Sequence, residues 1–200
     1  MCRLTPTGSS WPPPWLTCLP GPVWAQATAP AGPAEPYIDR GVCPFECCTY
    51  REWHAVNTIG VHASPQPGAA IVARLSPAAQ VDALTGEVHF RQVGVVLLQR
   101  SVTLHDENAG DSLALRSGDR AYVLSSLGEE YYRVWVRGRI LEVPFFWDDR
   151  ATYPRPTGEP GRLEQVPEEI WWVQVRTPTG ISGWIRMDQA RVRGADQCGD

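Results

Sequence analysis

The chain has 200 residues with 22 acidic and 18 basic side chains, every basic one an arginine, and a formal net charge of −4. A mildly acidic chain without a basic cluster argues against nucleic acid as a partner, and no apolar run after the N-terminus approaches the ~20 residues of a membrane span. With 43% apolar residues, the length suits one compact domain or two small ones.

Residues 1–36 read as a signal-like, disordered, Pro-rich leader and linker. Pro12, Pro13, Pro14, Pro20 and Pro22 would break any helix there. "VWAQA" places Val23 and Ala25 at the −3 and −1 positions that a signal peptidase reads, and "ATAPAGPAEP" is flexible-linker composition. The expectation is a periplasmic or secreted protein. Cys18 in "WLTC" is a candidate lipoprotein site, although Trp15 and Thr17 fit that pattern poorly.

Residues 37–52 form a cysteine-rich lead-in. Cleavage after Ala25 would remove Cys2 and Cys18 and leave Cys43, Cys47, Cys48 and Cys198, an even count that reads as a disulfide framework. Neighbours Cys47 and Cys48 cannot be bridged without a distorted peptide. Cys43 therefore pairs with either Cys47 or Cys48, and the remaining one with Cys198, tying the two ends of the folded region together. The competing reading of "CPFECC" is metal binding or thiol-redox chemistry. Zinc sites favour a second spaced pair that this chain does not have. A reactive thiol needs cationic neighbours, whereas Glu46 acts the other way. His54, His62, His89 and His105 are scattered and are expected on the surface, with no role assigned.

From residue 53 onward the pattern is all-β, short apolar stretches punctuated by turn residues. "LSPAAQVDALTGE" (75–87) echoes "LRSGDRAYVLSSLGE" (115–129), matching Leu75 with Leu115, Ala78 with Gly118, Ala83 with Val123 and Leu84 with Leu124. Two copies are too few for a propeller or solenoid and predict two tandem small barrels, residues 53–100 and 101–192, with a tail at 193–200. In the second copy, Tyr132, Val134 and Val136 alternate with Arg133, Trp135 and Arg137, and Arg137-Gly138 turns the ribbon into a hairpin. Trp171, Val173 and Val175 share one face of a further hairpin closed by Gly183-Trp184-Ile185. Residues 144–169 read as a long loop insertion, in which the Asp148-Asp149 and Glu168-Glu169 doublets are expected to be solvated.

"LRSGDRAYVL", "YYRVWVRGRILEV" and "WWVQVRTPTGISGWI", in that order, resemble bacterial SH3-like (SH3b) domains, and "GVCPFECCTYREW" resembles a cysteine-rich lead-in found before such domains in envelope proteins. The first copy departs from the pattern, with Pro77-Ala78-Ala79 where Ser-Gly-Asp is usual and no Gly-Trp closure of its own. The resemblance implies tandem SH3-like barrels acting as a non-enzymatic binding or scaffolding module, without a cofactor. The implied partner is a peptide, a cell-wall component or a protein.

The residues themselves carry no Gly-rich phosphate loop, nucleophile elbow or zinc-protease helix motif. The nine tryptophans and six tyrosines are more informative. Adjacent strand residues face opposite ways, so Trp171 and Trp172 cannot both point inward. Tyr131, Arg133, Trp135, Arg137, Trp147, Tyr153 and the outward member of Trp171/Trp172 are the candidate binding patch, because aromatics flanked by arginine suit stacking and carboxylate capture.

Overall fold

The computed structural model describes residues 32–149 and 158–198, and every regular element among them is a β-strand. The leader and Tyr153 lie outside the described residues. Strands run β1 (Tyr37–Arg40), β2 (Glu52–Ala55), β3 (Ile59–His62), β4 (Ile71–Leu75), β5 (Gln80–Gln92), β6 (Gly94–Leu98), β7 (Val102–His105) and β8 (Ser112–Leu115). They continue as β9 (Arg120–Gly128), β10 (Tyr131–Val136), β11 (Arg139–Pro144), β12 (Trp147–Asp148), β13 (Gly161–Gln165), β14 (Glu168–Arg176), β15 (Ser182–Arg186) and β16 (Val192–Arg193).

Pairing sorts these strands into two curled sheets that are nested, not tandem. The first runs β16-β2-β5-β14-β15-β3-β4, with β1 added beside β5; the second runs β11-β10-β9-β6-β13-β12, with the β7–β8 hairpin packed by β11. The chain leaves the first sheet at Val93, the single residue between β5 and β6, and returns at Val166-Pro167. Residues 94–165 are thus inserted into a sheet made by residues 37–92 and 168–193. The expected boundary at residue 100 does not follow the strand pairing. The Gly183-Trp184-Ile185 strand closes the first sheet, where β15 pairs with β14 and β3, so the closure missing from the first copy lies beyond the inserted second one.

The two sheets share one strand order. β2, β5, β14 and β15 of the first are matched by β6, β9, β10 and β11 of the second, and β16 beside β2 by β13 beside β6; the β3–β4 hairpin pairs with β15, whereas the β7–β8 hairpin is a separate two-stranded sheet that contacts β11. The corner turns also agree in detail. Ala78 N–H donates to the Ala55 carbonyl and Ala55 N–H to that of Ala79; in the second sheet Gly118 N–H donates to Leu98 and Leu98 N–H to Asp119. Residues 161–165, expected within a loop, are therefore a structural strand. Asp148 is buried in β12, not solvated.

Alternation places the cores. Trp53, Val61, Val81, Val173, Val175 and Ile185 fill the first sheet's concave side, and Val96, Leu98, Leu115, Val123, Val134 and Leu141 fill the second's. In β5 the pairs Val175↔Ala83 and Gln174↔Thr85 skip Leu84. This bulge flips the alternation, so that Val81 and Ala83 before it and Val88 and Phe90 after it all point to buried sides. A third apolar layer of Val42, Val88, Phe90, Val93 and Leu124, flanked by Tyr37, Tyr122, Trp135 and Trp171, joins the two sheets.

The lead-in and tail are locked together. Disulfides link Cys43 to Cys48 and Cys47 to Cys198, with Cα separations of 5.5 and 5.8 Å. Backbone bonds reinforce them, from Thr49 N–H to Ala195 and from Gln197 N–H to Cys47. This selects one of the two pairings that the sequence left open. No helix among the described residues is long and apolar enough to cross a membrane.

Candidate functional site

The residues expected to form one binding patch are dispersed. Trp147 is 3% exposed in the second core, and Trp172 is 1% exposed although it lies on the outer face of β14. Neither offers a ring face for stacking. Trp171 is half-buried against the first core, where its Nε1–H donates to the Tyr50 hydroxyl oxygen at 3.3 Å. Trp135 packs edge-on against Tyr122 in the layer between the sheets.

The two arginines flanking Trp135 serve the fold. Arg133 donates from Nη1 to the buried Asp39 at 2.8 Å and from Nε to Glu142 at 2.9 Å. Burial pulls its pKa down, but the two carboxylates outweigh burial and the net direction is up. Arg137 pairs with Asp119 at 2.6 Å and reaches the Ala114 carbonyl on β8. Tyr131 borders a cavity of about 390 Å³ whose other walls include Glu46, Glu107, Glu129 and Glu142.

A different constellation forms on the outer face of the first sheet. Strand alternation puts Trp184 and Arg186 of β15 outward, because Gly183 and Ile185 face the core, and the same rule turns Gly60 and His62 of β3 outward. A cavity of about 240 Å³ opens there, lined by residues that include Gly60, His62, Ile71, Arg74, Arg186 and Gln189, with no carboxylate among its walls. Gly60 makes the space: a Cβ at that position would lie 3.3 Å from Ile71 Cδ1 and 3.6 Å from His62 Nε2. His62 Nδ1 lies 3.1 Å from the Ala69 carbonyl and, acting as its donor, leaves Nε2 as the ring atom near the opening. The His62 ring stands edge-on to Trp172 at 5.4 Å.

The polar lining is underused. Arg186 donates from Nη2 to Asp188 at 2.6 Å, but its buried Nε has no acceptor. Arg74 is exposed and has no ion-pair partner among the described residues. An arginine left with free donors beside a half-apolar hollow is suited to a carboxylate. The alternation in "SGWIR" makes Arg186 legible as outward-facing, but nothing local in the sequence places it beside Arg74, more than a hundred residues earlier.

The other chemically notable groups are engaged. Cys47 and Cys198 lie near Asp196 with ligand atoms within 4.8 Å of one another, but their sulfurs are bonded together. His105 Nδ1 meets Ser112 Oγ at 2.8 Å on an exposed hairpin, and His89 pairs with Glu87. Compared with protein-family models, curated proteins and solved structures, the chain finds no match in any of the three.

Proposed function

We propose that this chain is a non-enzymatic binding or scaffolding module of the bacterial cell envelope, built from two SH3-like barrels with one nested in the other. The SH3-like assignment is supported by the shared strand order, the matched corner turns and the paired hairpins. The binding assignment rests on the outer-face cavity between Gly60, His62, Arg74 and Arg186, whose walls mix polar and apolar groups and carry two arginines, one of them paired with Asp188. The ligand class is a peptide, a cell-wall component or a protein. Two disulfides fit an oxidising compartment outside the cytoplasm.

Incubation with a purified envelope fraction tests this reading. Saturable co-sedimentation without release of soluble fragments supports a module; fragment release overturns it in favour of a hydrolase. The alternative, metal or thiol-redox chemistry at "CPFECC", draws on the proximity of Cys47, Asp196 and Cys198. It requires the Cys47–Cys198 bond to open, and a metal adduct in the intact mass after mild reduction would support it.

A further inference from the structure

We infer that β4 is a docking edge for an extended acidic segment of a partner protein, which adds as a further strand and places a carboxylate in the cavity beside Arg74. This deepens the binding-module reading and rests on it. β4 is the last strand of the first sheet, paired only with β3. Among the described residues its outer side has no partner strand, and although a bulge at Val72 interrupts the register with β3, residues 73–75 keep the regular alternation that accepts an added β-strand.

The edge strand of the matched hairpin, β8, carries a side-chain contact that β4 lacks. Counting back from Leu115 and Leu75, Ala114 corresponds to Arg74. The Ala114 carbonyl is occupied by Arg137 Nη1 at 3.3 Å, whereas no side chain among the described residues bonds to the β4 backbone. β4 also exposes Ile71 at 46% and Val72 at 42%, unlike β8, which contributes no exposed large apolar residue. An edge that is open, apolar and bordered by arginine selects its strand by charge. The free Arg74 guanidinium and a described cavity lining without a carboxylate favour an acidic side chain, whereas Arg186 already pairs with Asp188 and its Nε is buried.

The test uses the full chain and capped peptides about eight residues long, of alternating Val and Thr with a central Glu, Gln or Lys. The Glu peptide should bind about tenfold more tightly than the Gln peptide, with the Lys peptide weakest. On binding, amide exchange should slow selectively at residues 71–75. Arg74→Gln should leave melting unchanged and erase the preference of Glu over Gln. Gly60→Val, which fills the cavity and pushes on Ile71, should also erase that preference, with its melting measured alongside. Equal binding of all three peptides, protection away from β4, no binding by any peptide, or a concentration-dependent dimer paired through β4 would each overturn the inference. If the chain co-sediments with envelope but ignores the peptides, the module reading stands and the β4 inference falls; if it does neither, both fall.

Discussion

Ala78 and Gly118 occupy the same position in the two corner turns and share a left-handed backbone, with φ of 68° and 90°. Each sends its N–H past the hairpin before it to an earlier strand, Ala78 to Ala55 at the end of β2 and Gly118 to Leu98 at the end of β6. Only glycine takes this conformation without a Cβ penalty. Ala78→Gly should therefore stabilise the protein by about 1 kcal/mol and raise Tm by about 2–4 °C. The reverse change, Gly118→Ala, meets no atom within 4 Å, so its cost of about 1 kcal/mol is purely conformational. Thermal melts of both variants check the pair, and equal Tm shifts of the same sign would contradict the shared turn.

The two disulfides should differ in weight. Cys47–Cys198 closes a loop across 151 positions and Cys43–Cys48 across 5. In the chain-entropy model these are worth about 5 and about 2 kcal/mol. Replacing Cys47 and Cys198 together by Ser should lower the denaturation midpoint more than replacing Cys43 and Cys48. Intact mass before and after reduction should change by the hydrogens of two disulfides.

Arg133 and Arg137 lie on one strand but should respond differently. Arg133→Ala leaves Asp39, almost fully buried, without its cation, and should cost about 2–3 kcal/mol. Arg137→Ala breaks an ion pair whose arginine is about half-exposed and should cost about 0.5 kcal/mol. Denaturant titration separates them. A comparable loss for both would show that the Asp39 pairing contributes little.

Local rules made the strands legible and left their partners hidden. The alternation in "RVWVR" placed Val134 and Val136 inward and Trp135 outward, as the structure has them. The echo around Leu75 and Leu115 aligned Ala78 with Gly118, which occupy equivalent turns in the two sheets. Period-2 patterning, however, says only which face of a strand is buried, not which strand lies beside it. β5 pairs with β14 across the whole inserted sheet, and one residue, Val93, carries the chain from one sheet to the next, so the ribbon reads as continuous. The tryptophans misled for a related reason. Trp172 points outward as alternation requires, yet it is covered, because an outer face can itself be packed. Alternation marks Arg186 as outward-facing, but no local signal sets it beside Arg74; only the fold of the sheet brings them to one cavity.

Tyr50 should give the protein an alkaline limit. Its hydroxyl donates to the Val42 carbonyl and receives Trp171 Nε1–H, directly above Gly86, where a Cβ would collide with both side chains. Burial pushes its pKa from 10.0 up to about 12, against a smaller downward pull from the Trp171 hydrogen bond. A phenol becomes charged on losing its proton, so as pH rises through 10 the unfolded chain ionises first while the folded chain still holds the proton. The stability from this site is complete below pH 10 and falls between pH 10 and about 12, a loss of about 1–2 kcal/mol once solvent screening of the half-buried hydroxyl is allowed for. Ultraviolet titration should show Tyr50 ionising well after the exposed tyrosines, with Tyr37 also delayed by burial, and denaturation midpoints should decline across the same interval. Tyr50→Phe should flatten that decline while lowering stability at neutral pH by about 1–3 kcal/mol, because the Val42 carbonyl and the Trp171 N–H lose their partner. A decline of the same depth in Tyr50→Phe would place the alkaline transition at another group.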